Sequence, residues 1–440
     1  DALTTGSYNI AIGYQALSTE DGHGRNVAIG YQALLTQDAG ADAYNTAIGF
    51  YAGKAVTTGS QNTLVGGLAG DALTTGASNI AIGLLALSGE DTGGRNIAIG
   101  YGALRVQDYD GNGYNVAIGY DAGTAVSTGI QNTLIGGLAG DSLTTGNYNI
   151  AIGYQALSTE DAHGKNVAIG RGALYAQDAG ADAYNVAIGY QAGVAVTTGT
   201  VNTIIGGLAG DALTTGTRNT AVGAFALSTE DAHGNNTAFG YQALLTLNAG
   251  AEGYNVAVGV DAGRLMTTGV TSVLIGAFAG DSLTTGSSNV AIGYAALSTE
   301  DTGGQSIAIG EGALQVQNND ANNHNIAIGH HAGHAITNGL RNIVMGGLAG
   351  DALTTGANNI AIGHEALGTE VAGGRNTAIG YQALKTSNYD GNAYNTAVGF
   401  EAGKAVTTGQ GNVLVGGLAG DAINSGSGNV CIGNQAGSAI

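Results

Sequence analysis

The stretch Asn9-Ile10-Ala11-Ile12-Gly13-Tyr14 decides the fold, because it returns with small changes along the whole chain. The same N-x-A-I-G element starts again at Asn26, Asn45, Asn62 and Asn79, at spacings of 17, 19, 17 and 17 residues. Those four steps sum to 70, and the 70-residue block is the larger period: landmarks such as DALTTG recur at 1–6, 71–76, 211–216 and 351–356. The 440 residues therefore read as one continuous domain of six super-repeats (1–70, 71–140, 141–210, 211–280, 281–350, 351–420) and a partial seventh (421–440).

A unit of 17–19 residues is too short for a helical-hairpin repeat, which needs more than about 30. It fits one turn of a β-solenoid. The element N-[IVT]-A-[IV]-G-[YF] is rich in β-branched and aromatic residues, so it reads as a strand. The predicted fold class is all-β, a solenoid of about 25 coils. With coils about 4.8 Å apart, the expected rod is roughly 120 Å long.

Comparing the 25 copies shows what each position tolerates. Twenty-three begin with Asn, the exceptions being Ser272 and Ser306. The fourth residue after the Asn is always Gly and the seventh always Ala. The third is always bulky and apolar, as Ile12, Val65, Phe239 and Met345. The second is Ala in three coils of four and Leu, Ile or Val in the fourth (Leu64, Leu134, Ile204), with Cys431 standing there in the last copy as a small buried side chain. The structural ladder is accordingly assigned to Asn9, Gly13, Asn26, Gly30, Asn45, Gly49, Asn62 and Gly66. The Asn amides are expected to bond to the coils above and below. The glycines are expected to hold a positive φ or a crowded corner.

Strand alternation puts positions one and three on one face and positions two and four on the other. Neither face is polar, so cover on both sides is expected. The flat Ala/Gly face is the one expected to receive a second chain, giving a lateral homo-oligomer. Uncapped coil ends add an expectation of head-to-tail stacking into a filament.

Composition excludes several classes. Eighty Gly without Pro and without a three-residue period is not collagen. A net charge of −20 disfavours nucleic acid. No run of about 20 apolar residues is present to span a membrane. With neither an initiating Met nor a signal segment ahead of Asp1, the chain is expected to be a processed or excised piece.

The N-x-A-I-G register, at Asn9 and Asn26 with Gly13 and Gly30, resembles the head repeats of trimeric autotransporter adhesins, the YadA-like left-handed β-roll. Runs such as NTAIGYQAL are also similar to phage and bacterial fibre repeats. The resemblance implies a left-handed roll, three chains side by side, an extracellular, cell-surface or virion-fibre location, and binding to a host surface. It covers essentially the whole chain, although coils of 17–19 residues are somewhat longer than the adhesin head repeat.

Candidate chemistry lies in the loops. One loop is acidic in each block: Glu20-Asp21, Glu90-Asp91, Glu160-Asp161, Glu230-Asp231, Glu300-Asp301, then Glu370 alone. It reads as a solvated acidic face, with divalent-cation binding as the alternative. The 19-residue coil carries Asp38 and Asp42, Asp178 and Asp182, and Asn388 and Asp390. In its second copy, Asp108, Asp110 and Asn112 match the start of a calcium loop, with oxygens at positions one, three and five and Gly113 at six. The Glu expected at position twelve is replaced by Gly119. Calcium at these three residues is the one cofactor expected. His23, His163 and His233, with His330, His331 and His334, read as surface residues. The fifth-position aromatics (Tyr14, Tyr31, Phe50, Tyr101, Tyr120) read as ladder shielding or as a stripe for a glycan or surface receptor. No enzyme is expected, since a catalytic site needs one-off residues in a pocket. The leading expectation is a structural fibre or filament. An adhesin or phage-type fibre shaft comes next. An ice- or mineral-binding surface is third, from Thr-Thr pairs such as Thr4-Thr5 and Thr57-Thr58.

Overall fold

The computed structural model describes residues 4–438. They contain 25 three-residue strands and no helix. The chain divides into two compact units, Asp1–Arg218 and Asn219–Ile440. The first holds β1 (Ile10–Ile12) to β12 (Thr203–Ile205), the second β13 (Thr220–Val222) to β25 (Val430–Ile432). Asp1, Ala2 and Leu3 of the first DALTTG lie outside the described residues, as do Ala439 and Ile440.

Within each unit every strand pairs with its sequence neighbour, parallel and residue for residue. Ile10 faces Val27, Ala11 faces Ala28 and Ile12 faces Ile29, and the same register continues from β2 (Val27–Ile29) to β3 (Thr46–Ile48). Each unit is thus a β-solenoid. The interval of 17 or 19 residues between strands is one turn of chain.

Position two points inward. Ala28, Ala47, Leu64 and Ala81 are fully buried, while positions one and three are half-buried or exposed. This corrects the expectation that the Ala/Gly face receives another chain. That face is filled by its own coil, whose seventh-position Ala33, Ala52 and Ala69 are also at 0 % exposure. In three coils of four, Ala at position two packs inside beside the seventh-position Ala. The outward face carries the β-branched rows instead, including Ile48, Ile82 and Ile118 at 36–37 % exposure.

The Leu in every fourth coil has a packing reason. Coils one and two put Leu17 and Leu34 in the core at the eighth position, where coils three and four have Gly53 and Gly70. A Cβ on Gly53 would meet Leu64 Cδ1 at 2.6 Å, and one on Gly70 would meet Leu64 Cδ2 at 2.9 Å. Leu64 therefore occupies the volume those two glycines leave free, which keeps the core close-packed through the change of coil type.

Three non-strand positions per coil hold a left-handed backbone: the residue before the Asn, the sixth and the eighth. Tyr8, Gln15 and Leu17 have φ of 64°, 50° and 51°. Such residues cost on the order of 1 kcal/mol each. Here they turn N–H groups onto neighbouring coils: Leu17 N–H donates to Ala33 O at 3.0 Å and Gln32 N–H to Tyr14 O at 2.8 Å. The corners thereby continue the ladder that the short strands begin.

The Asn row is a ladder of side chain to backbone. Asn26, Asn45 and Asn62 each donate their backbone N–H to the preceding Asn Oδ1, at 2.9, 3.0 and 2.8 Å. The Nδ2 of Asn45 and of Asn62 donates to Gly59 O and Gly76 O at 2.7 and 2.9 Å. These bonds reach the following coil, and at Asn412 the amide also reaches back, its Nδ2 donating to Asn395 Oδ1 at 3.1 Å while its Oδ1 accepts Asn429 N–H at 3.0 Å. Ser272 keeps half of this: its Oγ accepts Asn289 N–H at 3.2 Å, but no amide reaches the Gly286 carbonyl. Ser272→Asn should restore that bond and raise the midpoint of local thermal unfolding, by about 1 kcal/mol of stability.

Cys431 occupies position two opposite Leu414 as expected, but it is half-buried, because β25 is paired on one side only.

Candidate functional site

The acidic loop is not a solvated face. Glu20, Glu90, Glu160, Glu230, Glu300 and Glu370 are all at 0 % exposure. Each turns back on its own loop: Oε1 accepts the N–H of the residue three further on, Gly93 at 2.7 Å, Gly303 at 2.8 Å, Gly373 at 2.8 Å and His163 at 3.1 Å. The Glu therefore closes the loop from inside, and only the neighbouring Asp points outward. Burial pushes the Glu90 carboxyl up to about 7, opposed by the Gly93 and Tyr109 N–H groups and reinforced by Asp108 and Asp91. Burial likewise raises Glu160 and Glu370.

Partners of the second carboxylate oxygen differ between copies. Glu300 Oε2 accepts from Gln317 at 3.0 Å and Asn323 at 2.7 Å, and Glu370 Oε2 from Ser387 at 2.8 Å. Glu20 Oε2 and Glu160 Oε2 are buried without a hydrogen-bond partner. His23, His163 and His233 are half-buried, their Nδ1 atoms 3.8, 3.5 and 3.3 Å from Oε1 of Glu20, Glu160 and Glu230. They belong to this loop, not to open surface.

Asp108 joins Glu90 and Asp91 of the preceding coil, with ligand oxygens within 4.8 Å of one another, and Asp110 lies near enough to act on the Asp108 carboxylate. Asp110 Oδ1 accepts the Thr92 hydroxyl at 3.2 Å, and Asn112 makes a parallel bridge to Gly94. Carboxylates thus converge across coils as well as along the loop. In the third super-repeat the corresponding group is Glu160, Asp161, His163 and Asp178. Adjacent to it, Asp182 pairs with Lys165 at 2.6 Å. That exposed pair contributes little to stability.

Two columns of side chains run over the outside. At the fifth position Tyr14, Tyr31 and Phe50 stack at 5.2 and 5.5 Å between centroids, and Tyr101 stacks on Tyr120 at 5.3 Å. His364, Tyr381 and Phe400 repeat the pattern in the second unit at 5.6 and 5.3 Å. At the position before the Asn, a second set of side chains pairs cation with aromatic in several neighbouring coils: Arg25 lies 5.5 and 5.4 Å from the rings of Tyr8 and Tyr44, and Arg95 5.4 Å from that of Tyr114. This column was not singled out in the sequence, although Tyr44, Tyr114 and Tyr184 recur at one place per block. The Thr hydroxyls at Thr4, Thr57 and Thr74 donate to carbonyls of the next coil at 3.0, 3.2 and 3.0 Å. Those bonds leave them poorly placed to order surface water.

Open depressions lie on the surface, one of about 270 Å³ lined by Gln155, Arg171, Gly172, Tyr175, Gln191 and Val194, and one of about 440 Å³ lined by Gly13, Tyr14, Gln15, Ala16 and Ser18.

The fold and these columns define a tandem-repeat β-solenoid protein. Compared with known proteins, the chain matches no family model, and no curated protein matches it.

Proposed function

We propose that the chain is a structural segment of an extracellular fibre, built by coil stacking and by association of copies of the chain. What carries this reading is the register: because each strand pairs residue for residue with the next, every outward position becomes a row along each unit. A row of half-exposed Ile, Val and Thr beside stacked aromatic rings suits repeated contact with an identical row. Lateral association such as a trimer would use this β-branched face, since the Ala/Gly face is internal. The resemblance to adhesin heads and phage fibres supports an extracellular, cell-surface or virion location. Among the described residues no helix is long and apolar enough to cross a membrane.

Negative-stain electron microscopy and sedimentation at micromolar concentration test this. Filaments or discrete oligomers are expected, and replacing Ile48, Ile82 and Ile118 together by Lys should dissociate the lateral form. A strictly monomeric chain across that range rules the proposal out. The second reading, a receptor- or glycan-binding shaft, draws on the exposed stacks Tyr14–Tyr31–Phe50 and Tyr101–Tyr120. It predicts binding to a glycan panel that Tyr31→Ala and Tyr101→Ala weaken without changing assembly.

A further inference from the structure

We propose that the acidic loop of the third super-repeat is a site for a divalent transition-metal cation of the Zn2+ type, held by Glu160, Asp161, His163 and Asp178. Ligand atoms of these four residues lie within 4.8 Å of one another. A tetrahedral zinc ion with bonds of about 2.0–2.1 Å spaces its ligands roughly 3.3 Å apart, so the group closes onto an ion by small side-chain rotations. Asp161 and Asp178 are exposed and His163 is half-buried, so these three can move.

The independent sign of a ligand is at the buried end of the group. Glu160 is fully buried, and its Oε2 has no hydrogen-bond partner. His163 Nδ1, 3.5 Å from the same carboxylate, is also shut off from solvent without a hydrogen bond. A buried carboxylate oxygen and a buried ring nitrogen in one loop, each without a hydrogen-bond partner, are costly, and a cation among the four residues would satisfy both. The first super-repeat has the same two orphaned atoms, Glu20 Oε2 and His23 Nδ1, in a group with Asp21.

The other blocks show how the loop is completed when the His is missing. Where Gly303 and Gly373 replace the His and Asn318 and Asn388 replace the Asp, the buried Glu takes protein donors instead: Gln317 and Asn323 on Glu300, Ser387 on Glu370. His, the coil-two Asp and an orphaned carboxylate thus occur together in blocks one and three, and Gly with a satisfied carboxylate in blocks five and six; in block four, where Asn248 replaces the Asp, His233 stands beside a Glu230 whose Oε2 accepts Ala249 N–H at 3.2 Å. Imidazole in the donor set favours a borderline metal over calcium. The ion would tie the loop at Glu160 to the following coil through Asp178.

The test is calorimetric titration of the full chain with Zn2+, and separately with Ca2+, after chelator treatment and dialysis. The expected result is Zn2+ binding with a Kd below about 10 μM, accompanied by a higher melting temperature. His163→Gly and Asp178→Asn each install a residue that sister blocks already carry, so both variants should fold. Together they should remove one Zn2+ equivalent or weaken it at least about 30-fold, with the metal-free circular-dichroism spectrum and melting curve unchanged. No Zn2+ binding tighter than about 100 μM overturns the proposal. So does binding of unchanged stoichiometry and affinity in the double variant, or a Ca2+ preference indifferent to His163→Gly.

Discussion

Alanine at Gly119 will break the stack where it stands. Gly119 has φ of 144°, and a Cβ there would lie 2.6 Å from the Gly136 carbonyl carbon and closer still to its oxygen. The obstacle is the backbone of the next coil, which no rotamer change can move aside. Gly136 in turn has φ of 130° and faces Gly153, so pushing that coil away transmits the error along the row. Backbone strain alone costs on the order of 1–3 kcal/mol. With loss of the coil-to-coil hydrogen bonds, the total should exceed about 4 kcal/mol. Gly180→Ala is the control. It also has positive φ, 67°, but nothing lies within 4 Å of its added Cβ, so only about 1 kcal/mol should be lost. Because each coil touches only its neighbours, the Gly119→Ala defect should divide the melting transition and not merely shift it. Hydrogen exchange resolved by segment would show amides near residues 116–136 losing protection first. A single unshifted transition in Gly119→Ala would contradict this account of the row.

Much of this was legible in the sequence because the repeat reports on itself. Gly13 and its 24 counterparts never vary, and the structure gives both expected reasons at once, a positive φ and a crowded corner. The strand was legible from Ile10 and Ile12. The inward face was not, because Ala11 and Ile12 are both apolar and hydropathy alone cannot rank them. Coil width decides it, and width depends on Ala16 and Leu17 across the turn. Nothing in the sequence marks Leu17 as left-handed. The buried Glu was misread from charge, although a signal was present. Glu20 is matched in all six blocks, whereas its neighbour Asp21 gives way to Val371. An acidic residue held constant beside a variable one suits an internal bond better than a solvated face. The calcium assignment followed a linear motif, and what that motif could not show is that coils placed about 4.8 Å apart also bring Asp108 beside Glu90 and Asp91 of the preceding coil.

The same buried Glu makes stability depend on pH in an unusual direction. In the unfolded chain the Glu90 carboxyl titrates near its ordinary 4.5, and in the fold it is pushed up to about 7 by burial. The folded state therefore holds the proton more tightly. The contribution is fully present below pH 4.5 and is lost as pH rises through about 7. A gap of that size corresponds to roughly 3 kcal/mol. The second-block coil should accordingly be more stable at pH 5 than at pH 8 in chelator-treated buffer, opposite to the usual loss of stability on acidification. Glu90→Gln should remove the dependence. Its carbonyl oxygen can still accept Gly93 N–H, and its amide can donate toward Asp91 or Asp108, which crowd the native carboxylate. At pH 8 the variant should gain up to about 3 kcal/mol of local stability, and at pH 4 it should match the parent or fall slightly below it. Exchange protection of amides in residues 90–110, followed across pH 4.5–8.5 in both proteins, measures the difference directly. Parallel pH profiles would mean that Glu90 ionises in the fold as it does in water, and that burial of this carboxylate carries no energetic weight.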